Sequence, residues 1–217
     1  RDAGGLWDKY PVEQVATPEG YARNPELVIN FYNERRKQLL DVVPNAGHLG
    51  VADLERDFNV TVVTQNVDNL HERAGSTHVI HLHGELTKVC SSRDPYNPHF
   101  VKELAPEEYE VKLGDKAGDG TQLRPFIVWF GESVPEIETA IRYVEQADIF
   151  VIIGTSLNVY PAAGLLNYVP RAAEVYLIDP KPVDTHVMRP IHVIQKGASE
   201  GVKELKALLT VTQPPLP

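Results

Sequence analysis

Residues 60–85 read VTVVTQNVDNLHERAGSTHVIHLHGE, and this stretch decides the fold. Val60-Thr61-Val62-Val63 is a short apolar, β-branched run of the kind that forms a buried strand. The polar string Thr64-Gln65-Asn66-Val67-Asp68-Asn69 follows with no apolar alternation, and a second strand-like run, His78-Val79-Ile80-His81-Leu82, ends on His83-Gly84. In an open α/β sheet, ligands bind at the carboxyl ends of strands, where the loops begin. The stretch therefore sets amide, carboxylate and imidazole groups at two such ends. Gln65 and Asn66 can orient hydroxyls or a water, Asp68 can accept from an amide N–H, and His83 can take a proton near neutral pH. Asn and Asp also cap helices, and a histidine also sits in turns, so the residues by themselves leave both readings open.

Upstream, Asn24-Pro25-Glu26 supplies an N-cap followed by a proline at the first helical position. The helix it opens is expected to run to about Leu40, with Leu27, Phe31 and Leu39 inward. Tyr32 and Arg35 lie at i and i+3 and share a face. A guanidinium there can grip a carboxylate with two parallel hydrogen bonds and the phenol can add a third. Taken alone, Arg35 also reads as a solvated arginine on a helix that carries Arg36 and Lys37 as well. Pro44 to Leu49 begins another helix, ending near Phe58-Asn59, in which His48 has a structural place.

Downstream, Leu123 to Glu132 is an apolar strand running into a glycine loop, and Pro135 to Gln146 is an amphipathic helix. Ala147 to Ile153 reads as a buried parallel strand ending at Gly154-Thr155-Ser156, where backbone N–H groups can hold phosphate. Glu174 to Pro180 is another strand, whose Asp179 suits ribose hydroxyls. A short strand and turn over 191–200 and a helix from about Glu200 to Leu209 complete the chain. Alternating strands and helices predict an α/β fold with a doubly wound, Rossmann-like parallel sheet. A smaller module is inserted into it. The expected division is 1–10, 42–85 and 121–217 for the large domain and 11–41 with 86–120 for the module.

The composition is that of an ordinary globular chain, 42% hydrophobic and 24% charged over 217 residues. A formal net charge of -9, with no Lys/Arg run, argues against a nucleic-acid partner and is compatible with a basic, lysine-bearing one. The single cysteine, Cys90, rules out an intramolecular disulfide and fits a reducing compartment. No apolar run approaches a membrane-spanning length and no signal-peptide pattern opens the chain. A cytoplasmic monomer with no membrane contact is the expectation.

TQNVDNLHERAG followed by VIHLHGEL resembles the signature of the sirtuins, the NAD-dependent protein lysine deacylases. Carried over position by position, the resemblance implies that His83 is the catalytic base. It implies that Gln65, Asn66, Val67 and Asp68 line the nicotinamide and ribose pocket. RPFIVWFGE is similar to the family segment that forms one side of the acyl-lysine channel, which implies substrate contacts from Val128, Phe130, Gly131 and Glu132. GTSLNVYPAAG resembles the segment that binds NAD through Gly154, Thr155 and Ser156, with Val159 and Tyr160 approaching the substrate peptide. Where the family has Asn-x-Glu, this chain has Leu177-Ile178-Asp179, so Asp179 is left for the ribose; Gly197 and Ala198 match the turn that touches adenine. FYNERRKQLL is similar to the subgroup whose Tyr-x-x-Arg pair reads acidic acyl groups, which implies that Tyr32 and Arg35 select succinyl and malonyl as well as acetyl substrates.

The chain departs from the family in two places. RDAGGLW, with Arg1 as a cofactor contact, in that family follows a first strand and a Gly-Ala-Gly loop, so a trimmed N-terminus is expected here. Sirtuins usually carry two Cys-x-x-Cys pairs for a structural zinc, whereas residues 88–124 hold only Cys90, with His99 standing alone. No zinc is expected, and Tyr96, Phe100, Leu104, Tyr109 and Leu113 are expected to pack in its place. The implied cosubstrate is NAD, the partners are acylated lysines of proteins, and the products are nicotinamide and O-acyl-ADP-ribose. A non-catalytic NAD or ADP-ribose sensor and a mono-ADP-ribosyltransferase would share the fold. A hydride-transferring dehydrogenase would leave the TQNVD string unexplained, and no GxGxxG follows any strand.

Overall fold

The computed structural model describes residues 6–155, 162–182 and 187–211. Three short helices, α1 (Leu6–Lys9), α2 (Val12–Val15) and α3 (Pro18–Arg23), lead into α4 (Pro25–Leu40). Asn24 caps α4 as its sequence predicts, its side chain accepting the Leu27 N–H at 3.1 Å with Pro25 at the first helical position. Phe31 and Leu39 are buried, whereas Leu27 is half-buried because Val28 and Ile29 take the inner face of that turn. Arg36, which follows Arg35 on the helix, is buried: its Nε donates to the Tyr109 carbonyl and its Nη2 to Asn33 Oδ1, each at 2.7 Å. Burial draws its pKa down to about 10.

The chain continues through α5 (Ala46–Asp53), β1 (Val62–Thr64), α6 (Leu70–Ala74), β2 (Val79–His81), β3 (Gly84–Ser91), β4 (Lys102–Glu103) and β5 (Leu123–Ile127). It ends with α7 (Ile137–Val144), β6 (Ile149–Ile153), α8 (Ala162–Leu165), β7 (Glu174–Ile178), β8 (His192–Ile194) and α9 (Ala198–Val211). His48 has the structural place assigned to it. It closes a reciprocal cap on α5, donating its N–H to Asn45 Oδ1 at 3.0 Å while its Nδ1 accepts the Asn45 N–H at 3.1 Å. Strand β1 pairs with β2, Val62 donating to the His78 carbonyl and Leu82 to the Thr64 carbonyl, both at 3.0 Å, in the offset of a parallel ladder. The parallel sheets of this α/β fold are thus a two-stranded piece, β1-β2, and a three-stranded piece, β6-β7-β8, among the described residues. No helix among those residues is long and apolar enough to cross a membrane.

Two compact units divide the chain, the first formed by Arg1–Val42, Thr64–Asn69 and His81–Pro135. It is built on the antiparallel sheet β4-β3-β5, with Gly84 opposite Ile127 and Cys90 opposite Arg124. Ile29, Val89 and Val111 are buried together, with Tyr21, Leu104 and Leu123 packed at their edge. The aromatic cluster expected from sequence is looser than that: Tyr96, Phe100, Leu104 and Tyr109 are half-buried and Leu113 is 51% exposed. The inner positions are taken instead by Ile29 of α4, Val89 of β3 and Val111 of the loop before β5. Cys90 lies within this packing with no exposure, and burial pushes its thiol up to about 12, so it stays protonated.

A polar knot joins the end of β3 to the loop before β5. Ser91 Oγ donates to Asp119 Oδ2 at 2.5 Å and accepts the N–H groups of Arg93 and Asp94, while Asp119 Oδ1 accepts the Thr121 N–H and hydroxyl. These bonds favour the carboxylate and hold Asp119 down to about 2 from its ordinary 3.8. A depressed folded-state value means stability that is complete above the unfolded value and lost as protons bind the native carboxylate. The unit is therefore expected to lose stability between about pH 4 and pH 2, and Asp119→Asn should flatten that part of a pH–melting curve.

Gly84 is required where β2 turns into β3. Its φ is +88°, and a Cβ there would lie 2.1 Å from the Phe126 carbonyl oxygen. Gly84→Ala should cost about 1–2 kcal/mol for the backbone conformation alone and more for the overlap. A fall in Tm of about 5 °C or more is expected by calorimetry.

The second unit comprises Val43–Val63, Leu70–Ile80 and Glu136–Pro217. Strands β6, β7 and β8 run parallel in register, Ile153 beside Ile178 and Ile178 beside Ile194, so their carboxyl ends lie level. Leu54, Tyr176, Ile178, Ile194, Val202, Leu205 and Leu209 form the core beneath α9. Helix α9 comes close to its neighbours because glycines face it or lie on it: a Cβ on Gly50 would meet Val202 at 2.7 Å, and one on Gly201 would meet Ile178 at 2.2 Å.

Candidate active site

In the first unit the polar string after β1 is held carbonyl by carbonyl against the turn after β2. Thr64 O accepts the Leu82 N–H at 3.0 Å, Gln65 O accepts from His83 Nδ1 at 3.1 Å, Asn66 O from His81 Nδ1 at 3.2 Å, and Val67 O accepts the Leu86 N–H at 2.8 Å. The backbone ladder at Thr64 and Val67 is bridged by imidazoles at Gln65 and Asn66. A carbonyl oxygen only accepts, so the bond to Gln65 assigns the His83 hydrogen to Nδ1 and puts the lone pair on Nε2. The same logic fixes His81. His83 is half-buried and its own carbonyl accepts the Val128 N–H at 2.8 Å, which ties the turn to the end of β5. A histidine held at Nδ1, with Nε2 the basic atom, is arranged to receive a proton.

Gln65, Val67 and Asp68 are half-buried and Asn66 is exposed. Asn66 N–H donates to Thr64 Oγ1 at 3.0 Å, which shapes the loop locally. The carboxylate of Asp68 acts electrostatically on Arg35, as does Tyr32; together they oppose the burial that lowers the pKa of that guanidinium. The structure thus brings a residue of the expected nicotinamide pocket within electrostatic reach of the expected acyl selector. The guanidinium carbon of Arg35 lies 5.7 Å from the Tyr32 ring centroid and 5.9 Å from that of Phe31. Tyr32 is wholly buried, its hydroxyl accepting the Trp129 indole N–H at 3.0 Å, and burial pushes its pKa up to about 12.

The segment after β5 is more tightly engaged than a substrate-pairing edge would be. Val128 donates to His83 O, Trp129 to Glu132 Oε1, Phe130 to Ala16 O and Glu132 to Trp129 O, at 2.8–3.0 Å. What Val128, Phe130 and Gly131 can offer a ligand is carbonyl oxygen, the Gly131 amide and the Phe130 ring, which is 68% exposed. Glu132, expected along the channel, is committed locally. Both its oxygens accept from Arg124 at 3.0 Å, in a bidentate pair whose side chains are 5% and 14% exposed. The guanidinium of Arg124 also stacks on Trp129, 3.7 Å from the ring centroid. Sequence reading passed over Arg124, Trp129 and His81. The signal for His81 was its alternation with His83 in HLH; for Arg124 and Trp129 only the fold brings the partners together.

In the second unit the loops following the level strand ends carry Gly154 and Thr155, Asp179, and Gly197 with Ala198. Gly154 adopts φ +64° and nothing lies within 4 Å of where a Cβ would stand. One oxygen of Asp179 accepts the Lys181 N–H at 2.8 Å. Ala198 opens α9, where backbone N–H groups lack helical partners. Arg1, Ser156, Val159 and Tyr160 lie outside the described residues.

Residues 1–161 match the model of the Sir2 family. The chain belongs to the Sir2 family. This Sir2-family chain is 84% identical over 209 residues to an NAD-dependent protein deacylase of Bacteroides thetaiotaomicron, covering 96% of the chain and 89% of that relative. It is 47% identical to an NAD-dependent protein deacylase of Helicobacter pylori, over 94% of the chain and 87% of the relative. Among solved structures it resembles a Sir2 homologue in complex with NAD, with a TM-score of 0.79 and 38% identity over 95% of this chain and 80% of the other.

Proposed function

We propose that this chain removes succinyl and malonyl groups, as well as acetyl, from protein lysines, releasing nicotinamide and O-acyl-ADP-ribose. The enzyme class is that of its relatives, an NAD-dependent protein deacylase acting on acylated proteins. The donor set suits a nicotinamide dinucleotide. Asp68 offers a carboxylate for an amide N–H, Asp179 an acceptor for a ribose hydroxyl, and the start of α9 offers backbone N–H groups, while the Gly154 amide is spent on the Ile178 carbonyl. NAD supplies an activated ribose carbon with nicotinamide as its leaving group. In our reading His83 Nε2 takes a ribose hydroxyl proton, and the Nδ1 bond to Gln65 holds the ring in place for it. Gln65 and Asn66 orient the polar groups beside it, and Val128, Phe130 and Gly131 flank the acyl-lysine.

The acidic-acyl preference rests on one observation: Tyr32 and Arg35, three residues apart on α4, stand together as a neutral phenol and a guanidinium. Both can donate, and their combination matches a carboxylate better than a methyl group. The experiment is turnover of matched acetyl-, malonyl- and succinyl-lysine peptides with NAD. Nicotinamide release that requires an acyl-lysine and runs faster with the acidic chains supports the proposal. Release without an acyl-lysine, or faster with acetyl, counts against it.

A further inference from the structure

Trp129 stands out because its one polar atom is spent inside the proposed selector. An indole N–H is a donor and nothing else. The 3.0 Å bond between Trp129 Nε1 and Tyr32 Oη therefore has the phenol oxygen as acceptor. We infer that Trp129 is a positioning residue for acyl specificity: by donating to the Tyr32 oxygen it turns the phenol hydrogen away from itself, and a hydrogen so directed is what a carboxylate at the end of an acyl chain needs. The inference rests on the acidic-acyl reading given above.

The surrounding frame makes the commitment rigid. Trp129 is 2% exposed, its backbone N–H is held by Glu132, and Arg124 stacks on its ring. Arg124 is in turn locked by Glu132 and by a 2.8 Å bond to the Ile127 carbonyl. Tyr21 packs beside the same ring, its centroid 5.2 Å from that of Trp129. Tyr32 is fixed edge-on to Phe31, with centroids 5.0 Å apart. A buried hydroxyl that has accepted one bond gains most from a ligand that takes its hydrogen, and among the described residues no acceptor does so. A neutral acyl chain would leave that donor unmatched, so discrimination follows from the cost of burying it unpaired.

Trp129→Phe keeps an aromatic ring and removes the N–H. The kcat/KM ratio of succinyl- to acetyl-lysine peptide should fall about fivefold, as for the loss of one hydrogen bond, with the change carried by the succinyl KM. In a Tyr32→Phe background the same substitution should leave the ratio where Tyr32→Phe put it, because both remove one coupled device. A benzothienyl-alanine at position 129, with sulfur in place of the N–H, keeps the indole volume and should give the same fall if the smaller ring impairs folding. Equal losses on both substrates, or full additivity with Tyr32→Phe, would reduce Trp129 to packing and overturn the inference. Arg35→Met separates the two readings. If it shifts the ratio while neither position-129 variant does, only the Trp129 inference fails; if wild type shows no acidic preference, the acyl reading fails and this one with it.

Discussion

Replacing His83 with alanine is expected to lower acyl-lysine turnover by about a hundredfold or more, the range of a lost general base. The geometry gives the reason: Nδ1 is committed to the Gln65 carbonyl, so Nε2 is the atom that can accept a proton. The fold should survive, since the ladder bonds at Thr64 O and Val67 O do not involve the imidazole. Losing the bond to Gln65 should cost about 1 kcal/mol of stability, readable in a melting curve. His83→Asn provides the sharper comparison. Its amide N–H can still donate to Gln65 O, which restores the anchor without restoring a base. Restored stability with turnover still absent supports the assignment; turnover that recovers with the anchor would make His83 a structural pin.

The second large effect belongs to Arg35. Arg35→Met keeps an unbranched apolar stem at this position while removing the guanidinium that lies over Phe31 and Tyr32. A charge-assisted contact to a carboxylate contributes about 1.5–3 kcal/mol, so succinyl-lysine kcat/KM should fall roughly tenfold to a hundredfold relative to acetyl-lysine. The loss should appear as a higher KM for the acidic substrate. Because Asp68 acts electrostatically on Arg35, removing the guanidinium also alters the surroundings of that carboxylate. The NAD KM measured alongside separates the two consequences. An equal fall for both acyl chains would show that Arg35 does not read the acyl terminus.

Much of the fold was legible from local pattern. The Asn24-Pro25 start of α4, the β-branched runs that became β1 and β6, and the amphipathic stretch that became α7 all follow from short-range preferences. So did the candidate chemistry at the loop of Gln65 to Asp68 and at His83, since polar side chains gathered at strand ends are conspicuous in a sequence. The burial of Arg36 was not legible, because nothing local says that Tyr109 and Asn33 will stand ready to satisfy its guanidinium. The packing of residues 96–113 was misjudged for the same reason: Leu113 is as apolar as Val111, and only the course of the chain decides that one is exposed and the other buried.

Sequence by itself determined which groups are present at the ends of the strands, because residue type and hydrophobic period are written along the chain. It also determined that one thiol, Cys90, cannot make a four-cysteine metal site. Only the tertiary structure decided which of those groups are committed and which keep an atom for a ligand. Glu132 proved to be spent on Arg124, the amides of Val128 and Phe130 on His83 and Ala16, and the Tyr32 oxygen on Trp129. Hydrogen bonds between residues as far apart as Tyr32 and Trp129 depend on distance and direction in space, and neither quantity is carried by the order of residues.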